Sequence, residues 1–390
     1  MTRAFVIAGE PSGDRLGGAL MAGLKTLEPG IAFDGVGGER MQAEGLDSRF
    51  PMDELSVMGI AEVLPKYRAL MARIEETAET VVATRPDVMI TIDSPDFSLR
   101  VAKRVKARAP DLRTVHYVAP TVWAWRAGRA EKMSRMIDHV LALFPFEPPY
   151  MTAHGMACDF VGHPVVSEPV ASDAEVAAFR DAFGLGDAPL LLVLPGSRRG
   201  EVSRLAPVFG AALPDVLARH PDLRIVLPAA APVAPAVKEA VRDWPAEVCV
   251  LDPRDHPEPV FARHKRAAFR AAQVALAASG TVSLELAAAG TPMVIAYDMN
   301  WLSRTIIRMM MKVDTVTLVN LVSESRAVPE FIAGNCRAEK IAPGLLEVMA
   351  HPEGQYEAME LTMQRLGRGG EAPGLRAARA VLDGLAEARA

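Results

Sequence analysis

Short apolar runs rich in β-branched residues alternate with longer stretches of helical periodicity along the whole chain. In the first half the runs fall at 4–8 (AFVIA), 31–36, 88–92 (VMITI), 113–118 (RTVHYV) and 138–143 (DHVLAL). In the second half they fall at 190–194 (LLLVL), 224–228 (RIVLP), 247–251, 273–278 (QVALAA) and 292–297 (PMVIAY). Continuous apolar runs of this length predict strands covered on both faces. The helical stretches between them imply parallel βαβ units with right-handed crossovers. Two such series in succession predict an α/β chain of two doubly wound domains. The boundary is expected near 163–188 (HPVVSEPVASDAEVAAFRDAFGLGDA), which opens on proline-punctuated polar sequence, includes one short helix and closes on Gly184 and Gly186 ahead of Pro189. A terminal amphipathic helix is predicted over 374–388, with Leu375, Ala378, Val381, Leu382 and Leu385 as its apolar positions.

Composition narrows the partners. Half of the 390 residues are apolar and 23% are charged, which argues for buried cores and against wholesale disorder. With 43 basic and 48 acidic residues the formal charge is −5, without the basic excess of a nucleic-acid binder, so none is expected. Cys158, Cys249 and Cys336 are too far apart for a metal motif, and an odd, thinly spread set argues against a disulfide framework. A reducing, cytoplasmic setting is the expectation. The run Ala4–Ala8 is too short for a signal sequence, and no stretch has the roughly 18 uninterrupted apolar residues of a membrane span.

Open α/β sheets bind ligands beyond the carboxyl ends of their strands, where helix N-termini present free N–H groups. Four of the turns in those places are unusual. Gly9-Glu10-Pro11-Ser12-Gly13-Asp14 follows the first strand and lacks the Gly-Lys-Ser/Thr of a P-loop. It reads either as a tight turn with Ser12 capping a helix that begins near Gly13, or as a loop over a sugar or phosphate, with Glu10 as a hydrogen-bonding carboxylate. Gly35-Val36-Gly37-Gly38 lacks the spacing of a dinucleotide fingerprint. Ile92-Asp93-Ser94-Pro95-Asp96-Phe97 places Ser94 as a helix N-cap and Pro95 in the first helical position, with Asp96 stabilised by the helix dipole. Asp93 has no such structural duty and is the candidate general base. Tyr117–Arg126 holds Trp123 and Trp125 beside Arg126, which suits a wall for a sugar or acyl group, or packing across the cleft.

The fourth turn is Leu194-Pro195-Gly196-Ser197-Arg198-Arg199-Gly200-Glu201. Gly196 allows close backbone approach to an anion, Ser197 can donate to it, and Arg198 supplies a bidentate fork, as a diphosphate leaving group requires. Ser279-Gly280-Thr281 opens a second phosphate-binding helix N-terminus, and Glu285, one turn further on, can accept hydrogen bonds from ribose hydroxyls. No acid–His cluster, metal-ligand spacing or Gly-x-Ser-x-Gly elbow is present, and no metal or cofactor is expected.

The ordered set GEPSGD (9–14), MGIAEVLP (58–65), IDSPDF (92–97), HYVAPTVWAWR (116–126), FPFE (144–147), VGHP (161–164), LPGSR (194–198), SGTVSLE (279–285) and TPMVIAY (291–297) closely resembles the lipid-A-disaccharide synthases, bacterial glycosyltransferases, over nearly the whole chain. The resemblance implies two Rossmann-like domains facing each other across a cleft, the GT-B arrangement: an acceptor-side domain over 1–165, a UDP-sugar domain over 166–365, and a terminal helix, 366–390, that returns to the first domain or a partner subunit. It implies inverting transfer from UDP-2,3-diacylglucosamine to the 6-hydroxyl of 2,3-diacylglucosamine 1-phosphate, giving a β-1,6-linked disaccharide 1-phosphate and UDP. Arg198, Ser279, Gly280, Thr281, Glu285 and Asn320 match its UDP positions, joined by Ser197. Glu10 and Asp93 match acidic acceptor-side positions, with Ser12, Gly13, Trp123, Trp125 and Arg126 on the substrate side. Where some members read N-L-L-A-G-R-E, this chain has Asn320-Leu321-Val322-Ser323-Glu324-Ser325-Arg326, its arginine displaced by one residue. Acylated substrates imply a peripheral place on the inner face of the cytoplasmic membrane. The mixed apolar–basic segments 57–74 and 301–313 are the candidates for contact, and the resemblance also allows a homodimer.

Overall fold

The computed structural model describes residues 2–55, 63–123, 128–299 and 314–389, with the side chains of 63–66 and 389 excepted. These form two compact units: Met1–Ser167 together with Gly369–Ala390, and Glu168–Arg368.

The first unit is built on β1 (Arg3–Ala8), β2 (Ala32–Val36), β3 (Val88–Ile92), β4 (Arg113–Tyr117), β5 (His139–Ala142) and β6 (Ala157–Phe160), in the order β2-β1-β3-β4-β5-β6. The second has β7 (Leu190–Leu194), β8 (Arg224–Pro228), β9 (Val248–Leu251), β10 (Val274–Ala277), β11 (Met293–Tyr297) and β12 (Glu330–Ile332), in the order β12-β11-β10-β7-β8-β9. Both sheets are wholly parallel. The expected α/β class is therefore realised as two Rossmann-like sheets, and each of the ten predicted strands forms.

Central strands carry no polar face because helices cover both sides: every residue of VMITI in β3 and LLLVL in β7 is buried. Phe5, Ile7, Met89, Val101 and Val140 meet in the first core, and Leu191, Val193, Phe209, Leu276 and Val294 in the second. The two strands the sequence did not announce are edges. β6 (ACDF) alternates exposed and half-buried positions, and β12 has only three half-buried residues. Neither needs the continuous apolar run of a central strand.

The helix Pro373–Arg389 lies against Pro11–Leu27 at two glycines. A Cβ on Gly23 would stand 2.7 Å from the Gly374 carbonyl oxygen, and one on Gly374 2.6 Å from that of Ala19. Ala377, Ala378, Val381 and Leu385 are buried, and Arg376 donates to the Phe160 carbonyl at 2.6 Å with its guanidinium over that ring.

Strand order locates the sites. The order reverses between β1 and β3 in the first sheet and between β7 and β10 in the second, so the crevice at the strands' carboxyl ends opens there. The turns after these four strands are Gly9–Asp14, Asp93–Phe97, Pro195–Arg198 and Ala278–Thr281.

Candidate active site

In the second unit the turns after β7 and β10 line one cavity of about 520 Å³. Ser197, Arg198, Ser279, Gly280, Thr281 and Glu285 all border it. Register explains the convergence: Leu194 pairs with Ala277, and the Ala278 N–H donates to the Leu194 carbonyl at 2.8 Å, so the two turns leave the sheet side by side. Gly196 takes φ +110°, in the region that favours glycine, and a Cβ there would lie 2.5 Å from a Glu201 carboxylate oxygen.

Glu201 was not singled out in the sequence. Its Oε2 accepts from the N–H groups of Ser197 (3.0 Å) and Arg198 (3.2 Å), closing the turn at the N-terminus of the helix Arg199–Arg219. The Arg198 side chain, with Nη1 3.7 Å from Glu201 Oε1, is still 84% exposed, so its guanidinium can engage an anion. The other cradle wall is the start of the helix Val282–Ala289. Thr281 stands at its N-cap without a side-chain capping bond, and Gly280 (φ +155°) has nothing within 4 Å of a notional Cβ. Backbone donors, dipole and guanidinium together suit a phosphate.

The helix Glu258–Ala271 also lines the cavity, contributing Phe261, Lys265 and Phe269 at successive turns. Lys265 Nζ donates to Glu285 Oε2 at 2.6 Å. This lysine too escaped the sequence reading, although the i, i+4, i+8 spacing of Phe261, Lys265 and Phe269 marks one helix face.

Asn320 is placed differently. It is fully buried. Its Nδ2 donates to Thr315 Oγ1 (3.3 Å) and the Val328 carbonyl (2.9 Å), and its Oδ1 accepts from the Val328 N–H (3.0 Å). The amide thus ties together the loops before β12 instead of lining the cavity. Arg326 pairs with Asp314 and the Ser325 carbonyl.

In the first unit the turns after β1 and β3 touch. A Cβ on Gly9 would stand 2.8 Å from Ser94 Oγ, and one on Gly13 would stand 3.3 Å from the Ile92 carbonyl oxygen. The helix begins at Pro11, so Glu10, exposed and extended at φ −148°, holds the N-cap position expected of Ser12. Ser12 is exposed within the first turn. Asp93 and Ser94 are consecutive left-handed residues (φ 50° and 44°), and Val118, after the adjacent β4, is left-handed as well (φ 84°). Non-glycine residues in this region cost about 1–3 kcal/mol each and gather where function fixes the geometry. Ser94 does stand at the N-cap of the helix Pro95–Arg108, but its hydroxyl caps nothing and is buried without a hydrogen-bond partner. The left-handed conformation turns it towards Gly9. Asp93 is half-buried; burial pushes its carboxyl above the ordinary aspartate range, opposed by the Ser94 N–H. That is the direction a proton acceptor needs.

Asp14 is a structural carboxylate. Buried, it accepts from the N–H groups of Gly38 (2.8 Å), Arg40 (3.0 Å) and Met41 (3.1 Å), fastening the helix Glu39–Ala43. Trp123 is also buried. Its Nε1 donates to Glu147 Oε1 (3.3 Å), and its ring meets Phe146 edge-on at 5.1 Å. Its observed contacts are packing within the first unit. Glu147 also accepts from the Leu143 and Phe144 N–H groups at 3.0 Å, and burial still pushes it up to about 7. Trp125, Arg126, most of the MGIAEVLP motif and the segment 301–313 lie outside the described residues.

The sequence matches the family model described as lipid-A-disaccharide synthetase over residues 4–377. The chain belongs to this family. It is 65% identical over 99% of its length to the lipid-A-disaccharide synthase of Ruegeria pomeroyi, of which the match covers 96%. It is 44% identical over 97% of its length to that of Rhodospirillum centenum, of which 94% is covered. The chain is accordingly a glycosyltransferase of lipid A biosynthesis, a hexosyltransferase.

Solved structures place the fold. The UDP-GlcNAc 2-epimerase of Neisseria meningitidis, bound to UDP-GlcNAc, superposes with a TM-score of 0.64 over 99% of this chain and 100% of its own at 12% identity. A putative UDP-N-acetylglucosamine 2-epimerase of Listeria monocytogenes gives 0.63 over 98% and 94%, respectively, at 14% identity. At that identity the likeness is one of fold, the two-domain α/β fold of GT-B type. Among the described residues no helix is long and apolar enough to cross a membrane, and no cluster of His, Cys, Asp and Glu is placed to hold a metal ion.

Proposed function

We propose that this lipid-A-disaccharide synthase transfers 2,3-diacylglucosamine from UDP to the 6-hydroxyl of 2,3-diacylglucosamine 1-phosphate with inversion at the anomeric carbon. The observation that carries the reading is the convergence of Ser197, Arg198, Ser279–Thr281 and Glu285 on one cavity at the second sheet's switch point. The uridine ribose would bond to Glu285. The diphosphate would lie against Arg198 and the N-terminus of the helix Val282–Ala289.

The acceptor half is assigned to the first unit. Asp93 takes the proton from the acceptor O6 as the O6–C1 bond forms. The bond from C1 to the β-phosphate oxygen breaks, and its electron pair leaves with UDP. Arg198 and the helix N–H groups stabilise the charge gathering on that diphosphate, where losing one fixed donor typically costs about 10²–10³ in rate. Glu10, at the neighbouring turn, is the second acceptor-side carboxylate. The acyl chains bring the enzyme to a lipid surface.

The deciding experiment is a mass-spectrometric assay with both diacyl substrates, from which a tetra-acyl disaccharide 1-phosphate and UDP are expected. Asp93→Asn is expected to abolish turnover with UDP affinity intact, and Arg198→Ala to weaken UDP. Near-normal turnover by Asp93→Asn would remove the base assignment. Conversion of UDP-N-acetylglucosamine without an acceptor would favour epimerase chemistry instead.

A further inference from the structure

The cavity in the second unit holds a feature that phosphate recognition does not use. Glu285 sits in the first turn of the helix Val282–Ala289, the same turn whose N–H groups and dipole favour a bound anion. A carboxylate on that turn can take several rotamers unless a cation fixes it. Lys265 is that cation. It reaches from the helix Glu258–Ala271, which also lines the cavity, and Nζ meets Glu285 Oε2 at 2.6 Å while lying 5.2 Å from the Phe269 ring centroid. Both partners are about one-third exposed, so neither is sealed from the cavity they line. A lysine reaching Oε2 leaves Oε1 as the acceptor for a ligand. The ring of Phe269 limits where the ammonium can go.

We propose that Lys265 is a positioning residue for nucleotide recognition: by bonding Glu285 Oε2 it orients the carboxylate so that Oε1 accepts from a ribose hydroxyl, making the site selective for an intact ribose. The proposal rests on the nucleotide reading of this cavity. It assigns Lys265 no direct contact with phosphate, so its loss acts on ribose selectivity and leaves diphosphate binding in place.

The test compares UDP with its 2′,3′-dideoxy analogue by calorimetry on the full-length enzyme. A hydrogen bond to a charged group corresponds to about a tenfold preference for UDP in the parent protein. Lys265→Met is expected to raise the UDP dissociation constant about tenfold while moving that of the dideoxy analogue less than about threefold, so the preference collapses towards one. Lys265→Arg, which keeps the cation, is expected to retain most of the preference. Lys265→Met combined with Glu285→Gln is expected to be no worse than either alone, because the two act as one unit. Should Lys265→Met fail to fold, Lys265→Gln carries the same comparison.

Equal weakening of both nucleotides in Lys265→Met would overturn the proposal, since a phosphate contact or a purely structural role acts without regard to the ribose. So would an undiminished preference in Lys265→Met alongside its loss in Glu285→Gln; that outcome leaves the ribose reading of Glu285 standing. A parent enzyme that binds both nucleotides equally would overturn the ribose reading itself, and the role of Lys265 with it.

Discussion

Replacing Asp14 by alanine separates a structural carboxylate from the proposed acceptor-side carboxylate Glu10 within a single motif. Asp14 stands four residues after Glu10 in GEPSGD and is 6% exposed, its two oxygens accepting from three backbone N–H groups at 2.8–3.1 Å. Water can reach the Gly38 and Arg40 N–H groups once the carboxylate is gone, whereas that of Met41 is buried and stays unpaired. Leaving one buried donor unsatisfied costs about 1–3 kcal/mol, and two partly recovered bonds add about 0.5–1 kcal/mol each, for a total near 3 kcal/mol. For a unit of roughly 150–250 residues this lowers the melting temperature by about 6–12 °C. Scanning calorimetry is expected to show the loss in the transition of the first unit, with that of the second unchanged. At 20 °C turnover per folded molecule stays within about threefold of the parent, because Asp14 contacts backbone and not substrate. Asp14→Asn, which keeps one acceptor oxygen, is expected to recover about half of the loss. An unchanged melting profile with abolished turnover would refute the reasoning and move Asp14 into the reaction.

Three further outcomes follow from named contacts. As the proposed base, the Asp93 carboxyl must be ionised to accept a proton and burial raises its pKa, so kcat/KM is expected to fall with acid along a limb lying above the ordinary aspartate value of about 3.9; a limb at or below that value contradicts the assignment. Glu147 prefers its neutral form in the folded state, so its stabilising contribution is full below about pH 4.5 and is lost as pH rises through about 7, some 3 kcal/mol in all; Glu147→Gln is expected to flatten that segment of the stability–pH curve, measured by urea unfolding. Gly374→Val puts a side chain where even a Cβ lies 2.6 Å from the Ala19 carbonyl oxygen, so about 1–3 kcal/mol of destabilisation and faster proteolytic loss of the terminal helix are expected, and a protease-resistant variant would contradict the packing.

The sheets were legible because a parallel sheet covered on both faces demands one kind of sequence. AFVIA, VMITI and LLLVL cannot serve as solvated strands, and their spacing leaves room for little except crossover helices. What escaped had weaker physical cause to show itself: ACDF and EFI are edges, each relieved of burial on one side. The four turns were also legible, since strand ends carrying Gly, Ser, Asp and Arg are where an open sheet places ligands. Individual duties within them were less so. Ser94 looks like an N-cap, yet its left-handed backbone carries the hydroxyl away from the helix and against Gly9. Asn320 carries an amide fit for a nucleotide, and the loops before β12 take both its donor hydrogens and one bond to its oxygen.

Glu201 and Lys265 show why side-chain partners are harder to read than turns. Each acts on a residue that was legible: Glu201 holds the backbone of Ser197 and Arg198, and Lys265 holds the carboxylate of Glu285. Glu201 did leave a local trace, an acid three residues past the N-cap Arg198, where it can bond back to the chain ahead of it. Lys265 left none beyond a helical face, because its partner is 20 residues away and arrives only through the packing of two helices beside β10. The ligand-facing groups of such a site are set by local turn chemistry. The groups that aim them are set by tertiary contact, and a cavity lined by Arg198, Lys265, Glu201 and Glu285 balances two cations against two anions. In the proposed reaction that balance would let a diphosphate enter without an excess of positive charge that holds UDP after transfer, and Arg198, 84% exposed although 3.7 Å from Glu201 Oε1, would stay open to the ligand while Lys265 fixes Glu285.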